Sequence, residues 1–128
     1  MKFRSLAGFM VFLFLSIALA RAVESSGDWL EKVPQKDRAQ TSPIRAKAAT
    51  ITQGHKTFLA HCAQCHGEDA KGTGRAPALV SNRVRTGATD GDLHWLLVNG
   101  NRDRGMPPWE KLGDLQLWRV ITYLRSLQ

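Results

Sequence analysis

Residues 61–72 read "HCAQCHGEDAKG" and hold both cysteines of the 128-residue chain, Cys62 and Cys65, with His66 following at once. Two thiols separated by two residues and followed by histidine admit three chemistries. The pair can cycle between dithiol and disulfide, supply a corner of a zinc site, or anchor a haem through two thioethers with the histidine as an iron ligand. The rest of the chain has to choose among them.

A thiol–disulfide switch of this spacing belongs beside a βαβ unit. Here the pair closes a helical pattern, and no segment alternates like a strand. A structural zinc ion needs four ligands. Cys62, Cys65 and His66 offer three, and His55, His61 and His94 are scattered without a second ligand pair at finger spacing. The haem reading uses all three residues: the thiols reach the two vinyl groups, and His66 lies under the iron as proximal ligand.

The N-terminus bears on the choice. Lys2 and Arg4 precede an apolar run from Leu6 to Ala20, and Ala18-Leu19-Ala20 and Ala20-Arg21-Ala22 are small-x-small sites. This is the pattern of a secretory signal peptide over residues 1–22, cleaved near Ala22. The run of 15 residues is shorter than the roughly 20 of a spanning helix, so no stable membrane insertion is expected after cleavage. The leader holds Lys2, Arg4 and Arg21 and no acid. Without it, 15 basic residues face 11 acidic ones, and net charge falls from +7 to +4. Nucleic-acid binding loses its electrostatic support, and a periplasmic location is expected. In an oxidising compartment two neighbouring cysteines would be free to pair, so their spacing calls for a reason.

Residues 23–49 mix charge, serine and proline without a sustained period, and read as an irregular N-terminal extension. A helix is expected over Thr50–Cys62, capped by Thr50 or Thr52, with Ile51, Phe58 and Cys62 on one stripe. Gly54 on that face implies close approach of another helix. Residues 67–87 read as loop. A short helix follows over Thr89–Asn99, with Thr89 and Asp92 as a capping-box pair, Leu93, Leu96 and Leu97 inward, and Gly100 as its stop. Residues 101–113, "NRDRGMPPWEKLG", form a second loop, since Pro107 and Pro108 forbid a helix interior. The last helix covers Asp114–Leu127, with Leu117, Val120, Ile121 and Leu124 as its core stripe. The fold class is therefore all-α: three to four short helices and long loops, with the globular domain over residues 50–128. Such a thin core needs a staple. A disulfide across two intervening residues closes almost no loop, whereas a large apolar cofactor would serve.

Beyond the leader there is one methionine, Met106, 40 residues after His66 in a Gly/Pro loop with no helical stripe to join. A thioether there is a candidate distal iron ligand. His94, among helical leucines, is the competitor. Arg83, Arg85, Arg102 and Arg104 are either solvated loop charges or groups that meet haem propionates and steer an acidic partner. Trp95 and Trp109 could donate an indole N–H to a propionate or simply pack. Ala63 and Gln64 are expected on the solvent side, and His61 reads as a surface helix residue.

In combination these motifs resemble the class I cytochromes c, over roughly residues 50–127. Gly54, Phe58 and Cys62 match the four-residue steps of that family's first helix, and "CAQCH" matches its haem anchor. "APALV" supplies the Pro-x-Leu of the proximal loop at Pro77 and Leu79, with Ala76 where the family often has glycine. "GMPPW" resembles the distal methionine loop, and "VITYLRSL" the last helix, whose aromatic, here Tyr123, packs near Gly54. The extension and "DLHWLLVNGNRDRGMPPW" look more like small bacterial periplasmic cytochromes than like mitochondrial cytochrome c. The resemblance implies a cytochrome c fold around one haem c, attached through Cys62 and Cys65 and ligated by His66 and Met106. It implies that the Pro77 carbonyl accepts the His66 Nδ1–H. Phe58, Leu79, Leu93, Leu97, Trp109 and Leu117 would shield the haem. The expected function is single-electron transfer by a monomer between transient redox partners, a dehydrogenase or an oxidase, with no catalytic residue. The alternatives are a haem enzyme or gas or redox sensor with a labile distal ligand, or an electron-transfer subunit of a quinoprotein dehydrogenase or terminal oxidase.

Overall fold

The structure, a computed structural model, describes residues 28–127; the expected leader and its cleavage point lie outside the described residues. The chain divides between Glu31 and Lys32. On the N-terminal side, Asp28 Oδ1 accepts the Leu30 N–H at 2.9 Å and the Asp28 carbonyl accepts the Glu31 N–H at 3.1 Å, which opens a 3-10 turn over Trp29–Lys32.

Beyond that point come six helices: α1 (Gln35–Arg38), α2 (Ala48–His61), α3 (Ala63–His66), α4 (Asn82–Arg85), α5 (Asp90–Asn99) and α6 (Asp114–Ser126). Single 3-10 turns lie at Arg102–Arg104 and Glu110–Leu112. Among the described residues there is no strand, and Asn101 and Met106 form an isolated antiparallel bridge. The three long helices are those expected. The others are single four-residue turns, too short to show a hydrophobic period. α2 starts at Ala48 rather than Thr50. The Lys47 carbonyl takes the Ile51 N–H at 2.9 Å, no side chain caps the end, and neither Thr50 nor Thr52 acts as the cap.

The core is the crossing of α2 and α6. Phe58, Leu117 and Ile121 are wholly buried there. Gly54 explains how close the two backbones come: a Cβ at that position would collide with the Arg119 carbonyl oxygen and lie 2.9 Å from the Tyr123 Cβ. The Tyr123 ring then covers the groove, stacked on His55 at 4.7 Å and tilted against Phe58 at 5.3 Å. Burial, and secondarily the negative charge of Asp69, raises the Tyr123 phenol above its ordinary pKa, so it stays protonated.

α5 is fixed at its N-terminus. Thr89 Oγ1 accepts the Asp92 N–H at 3.0 Å, and Asp92 Oδ2 accepts the Thr89 N–H at 2.8 Å, completing the expected capping box. Asp92 is buried, and its other carboxylate oxygen lies 3.1 Å from Arg38 Nε. Gly91 admits the carbonyls of Asp37, Arg38 and Gln40 where any side chain would collide, and Thr89 Oγ1 donates to the Arg38 carbonyl at 3.0 Å. Residues 32–40, read from sequence as part of an irregular extension, thus form a strap with Val33 buried. It docks through backbone carbonyls and the Arg38–Asp92 and Lys32–Asp103 ion pairs, which leave no periodic signature. At the other end of the core, the Arg125 guanidinium binds Asp90 and the carbonyls of Val84, Arg85 and Ala88, tying α6 to the chain between α4 and α5.

Gly54→Ala should force α2 and α6 apart and cost about 1–3 kcal/mol or more, as overpacking does. Urea unfolding of the holoprotein should show a lower midpoint with an unchanged slope.

Candidate functional site

Cys62 is the residue on which α2 ends and α3 begins. Its N–H still bonds to the Phe58 carbonyl at 2.8 Å, and its own carbonyl accepts the N–H groups of Cys65 at 3.1 Å and His66 at 3.0 Å. Residues three and four apart on a helical turn share a face. This one turn therefore brings Cys62, Cys65 and His66 to one side, which is the physical content of the C-x-x-C-H spacing. Gln64, between them, is exposed, and Ala63 is half-buried rather than fully on the solvent side.

The Cys62 thiol is not poised for redox exchange. Burial, with a smaller contribution from Cys65, pushes the Cys62 thiol up to about 11. The attacking species in exchange is the thiolate, which is scarce at neutral pH with that value. No group of three or more His, Cys, Asp or Glu residues among the described residues could hold a metal ion, which counts against zinc.

His66 is oriented by the loop that follows. Its Nδ1 lies 3.0 Å from the Pro77 carbonyl oxygen. A carbonyl can only accept, so Nδ1 carries the proton and Nε2 keeps its lone pair for an electrophile. The loop is built to deliver that carbonyl. Gly72 N–H bonds to the His66 carbonyl at 2.8 Å, Leu79 N–H to the Ala70 carbonyl at 2.8 Å, and the Thr73 hydroxyl donates to the Cys65 carbonyl. The Lys71 backbone N–H holds the Asp69 carboxyl below its usual range and tightens the first turn. A Cβ on Gly72, whose φ is +87°, would lie 2.7 Å from Ala78 N and 2.9 Å from the Ala76 carbonyl oxygen and the Pro77 carbonyl carbon. Glycine is thus required at 72 and not at 76. The Ala76 carbonyl accepts the Thr73 N–H at 3.0 Å, and the one non-glycine residue at positive φ in the described chain is Ala70, φ 58°.

Met106 is held from its own backbone. Asn101 and Met106 exchange both N–H···O bonds, at 2.9 and 3.0 Å, around the 3-10 turn Arg102–Arg104 and left-handed Gly105. Gly100 does more than stop α5: a Cβ there would lie 2.7 Å from the Met106 carbonyl oxygen, Pro107 C and Pro108 N. Trp109 N–H then bonds to the Leu97 carbonyl at 2.8 Å. Met106 is half-buried. His94, the competing ligand, is engaged elsewhere: its ring stacks on Trp118 at 4.2 Å, and Nε2 lies 3.1 Å from Asp114 Oδ1. His61 is exposed, as expected, yet its ring meets Trp109 at 5.5 Å.

Comparison with known proteins bears on the same residues. The family described as cytochrome c oxidase, cbb3-type, subunit III matches residues 49–124. The chain belongs to this family and is a c-type cytochrome. Its helical architecture is accordingly a cytochrome c fold. Cytochrome c550 of Pseudomonas aeruginosa is 33% identical over 129 aligned residues, which cover 88% of this chain and 84% of that protein. The cbb3-type cytochrome c oxidase subunit CcoP of Rubrivivax gelatinosus is 33% identical over 86 residues, and that of Rhodobacter capsulatus 34% over 100. These cover 58% and 69% of this chain but 28% and 33% of the oxidase subunits, so the chain spans about a third of their length.

The residues present fit a haem of the c type. Two thiols share the face of His66, the His66 tautomer leaves Nε2 available, and the core on which the turn is built is apolar, with Phe58, Leu93, Leu97 and Leu117 buried. The sequence reading missed Gly72, and of Gly100 it saw the helix stop but not the contact with the Met106 loop. Both were visible as loop glycines, but nothing local says which backbone each must admit.

Gly72→Ala should push the Pro77 carbonyl off His66. Proton NMR of the reduced holoprotein should then show faster solvent exchange of the His66 Nδ1–H. Gly74→Ala is the matched control, because a Cβ there meets nothing within 4 Å, and its exchange should stay as in the parent protein.

Proposed function

We propose that this chain carries single electrons between redox proteins in the periplasm. It would do so through one haem c, joined by thioethers to Cys62 and Cys65 and ligated by His66 and Met106. The observation that carries the reading is the His66 Nδ1–Pro77 carbonyl bond on a turn that also presents both thiols. Held by His66 and Met106, haem would supply a one-electron ferrous–ferric couple, with a potential raised by the methionine.

The protein's part is to keep the ligands still. Pro77 holds the His66 ring in one tautomer and orientation, which strengthens it as a ligand. The Asn101–Met106 bonds and the Gly100 contact hold the Met106 backbone. Phe58, Leu93, Leu97 and Leu117 exclude water and disfavour the extra positive charge of the oxidised state. Oxygen or peroxide chemistry would want an acid–base side chain beside the methionine. The carboxylate nearest in sequence, Asp103, is exposed and paired with Lys32 Nζ at 3.0 Å. The reading is therefore a carrier without catalytic residues.

Electron-transfer contacts are small and transient, and +4 outside the leader suits an acidic patch on a partner. The similarity to CcoP subunits favours a cbb3-type oxidase as that partner, with this chain either its donor or a component of such an assembly. The leader pattern supports export, and no helix of the described residues is long and apolar enough to cross a membrane.

The ferric holoprotein should show the weak near-infrared band of sulfur-to-iron ligation, and Met106→Ala should abolish it. A band that survives in the variant excludes Met106 as the distal ligand.

A further inference from the structure

We propose that His61 latches the Met106 loop to the haem-anchor side of the molecule, as a positioning residue acting through Trp109. This rests on Met106 being the distal ligand.

The Met106 loop is closed on itself by the Asn101–Met106 bond pair, tied to α5 by Trp109 N–H to the Leu97 carbonyl, and joined at its exposed tip to Lys32 through Asp103. The loop also reaches the end of α2, beside Cys62. There Trp109 meets the His61 ring, one residue before Cys62, tilted 57° with centroids 5.5 Å apart. The link from Trp109 back to Met106 is stiff. The two residues following Met106 are Pro107 and Pro108, whose rings fix φ, so a displacement of Trp109 is passed to Met106 rather than absorbed. His61 itself is exposed and makes no core contact that its loss would empty. An exposed histidine on a helix face has no packing reason to be aromatic, whereas one that closes on a half-buried tryptophan does.

The consequence is kinetic access to iron. An exogenous ligand can bind where Met106 was only while the loop is open, so its apparent affinity scales with the open fraction. An aromatic pair of this kind is worth a factor of roughly two to ten in such an equilibrium. Loss of the latch should raise the open population by that factor and leave the α2–α6 core intact.

The test is imidazole binding to the ferric holoprotein, followed spectrophotometrically, in the parent protein, His61→Ala, His61→Phe and the helix-surface control Leu59→Ala. Expected is a two- to tenfold tighter apparent binding in His61→Ala, with parental values in His61→Phe and Leu59→Ala and an unchanged urea midpoint in all. Parental binding in His61→Ala overturns the proposal. So does His61→Phe behaving like His61→Ala, or a fall in the urea midpoint that accounts for the whole gain. The parent's near-infrared band is read in the same samples; its absence there overturns methionine ligation itself, whatever the variants do.

Discussion

The bond between the His66 ring and the Pro77 carbonyl joins the turn that bears both cysteines to the loop that follows it. An imidazole free to rotate or change tautomer would present its lone pair in several directions. Bonded to an acceptor that cannot donate, it presents one. Most of the loop between them exists to place that acceptor. The Gly67–Gly72 turns fold the chain back under His66, Thr73 fastens it to the Cys65 carbonyl, and Gly72 leaves the space through which Ala76, Pro77 and Ala78 pass. A ligand held this way reorganises little when the charge on its metal changes, which is the requirement of an electron carrier.

The remaining structure holds that loop and the Met106 loop at the two ends of one small core. α2 ends at Cys62 and passes directly into the turn that bears Cys65 and His66, and α6 crosses α2 at Gly54, so the candidate site is built on the best-packed pair of helices. α5 leads on to the Met106 loop. It is fixed at its start by the capping box, the buried Asp92 carboxylate and the Arg38 guanidinium, and at its end by Gly100 and the backbone of Met106. Removing one partner from a buried carboxylate leaves a costly unpaired charge, so the strap at residues 32–40 is part of the scaffold. It connects a stretch remote from the cysteines to the geometry of the Met106 loop.

The long helices were legible in the sequence because each buries an apolar stripe, and the anchor because i, i+3, i+4 spacing on one turn is a local fact. The His66–Pro77 contact was expected through resemblance to a known family, and the structure shows it. The strap was not legible, since carbonyls pressed against Gly91 and isolated ion pairs such as Arg38–Asp92 produce no period. The roles of Gly72, Gly100 and His61 were hidden for a related reason. Each depends on a backbone or ring brought near from elsewhere in the chain, and a loop glycine or a helix-end histidine looks the same with or without it. His94 shows the converse case. Its place among helical leucines made it the competitor to Met106, and the fold pairs it with Asp114 and Trp118.

The central claim is that Cys62 and Cys65 hold one haem covalently. Intact-mass spectrometry of the exported protein, after denaturation in acid and organic solvent, measures this directly. The account predicts a chain lacking residues 1–22 and carrying the mass of one haem, and Cys62→Ser/Cys65→Ser without it. A denatured parent chain free of haem would contradict the account.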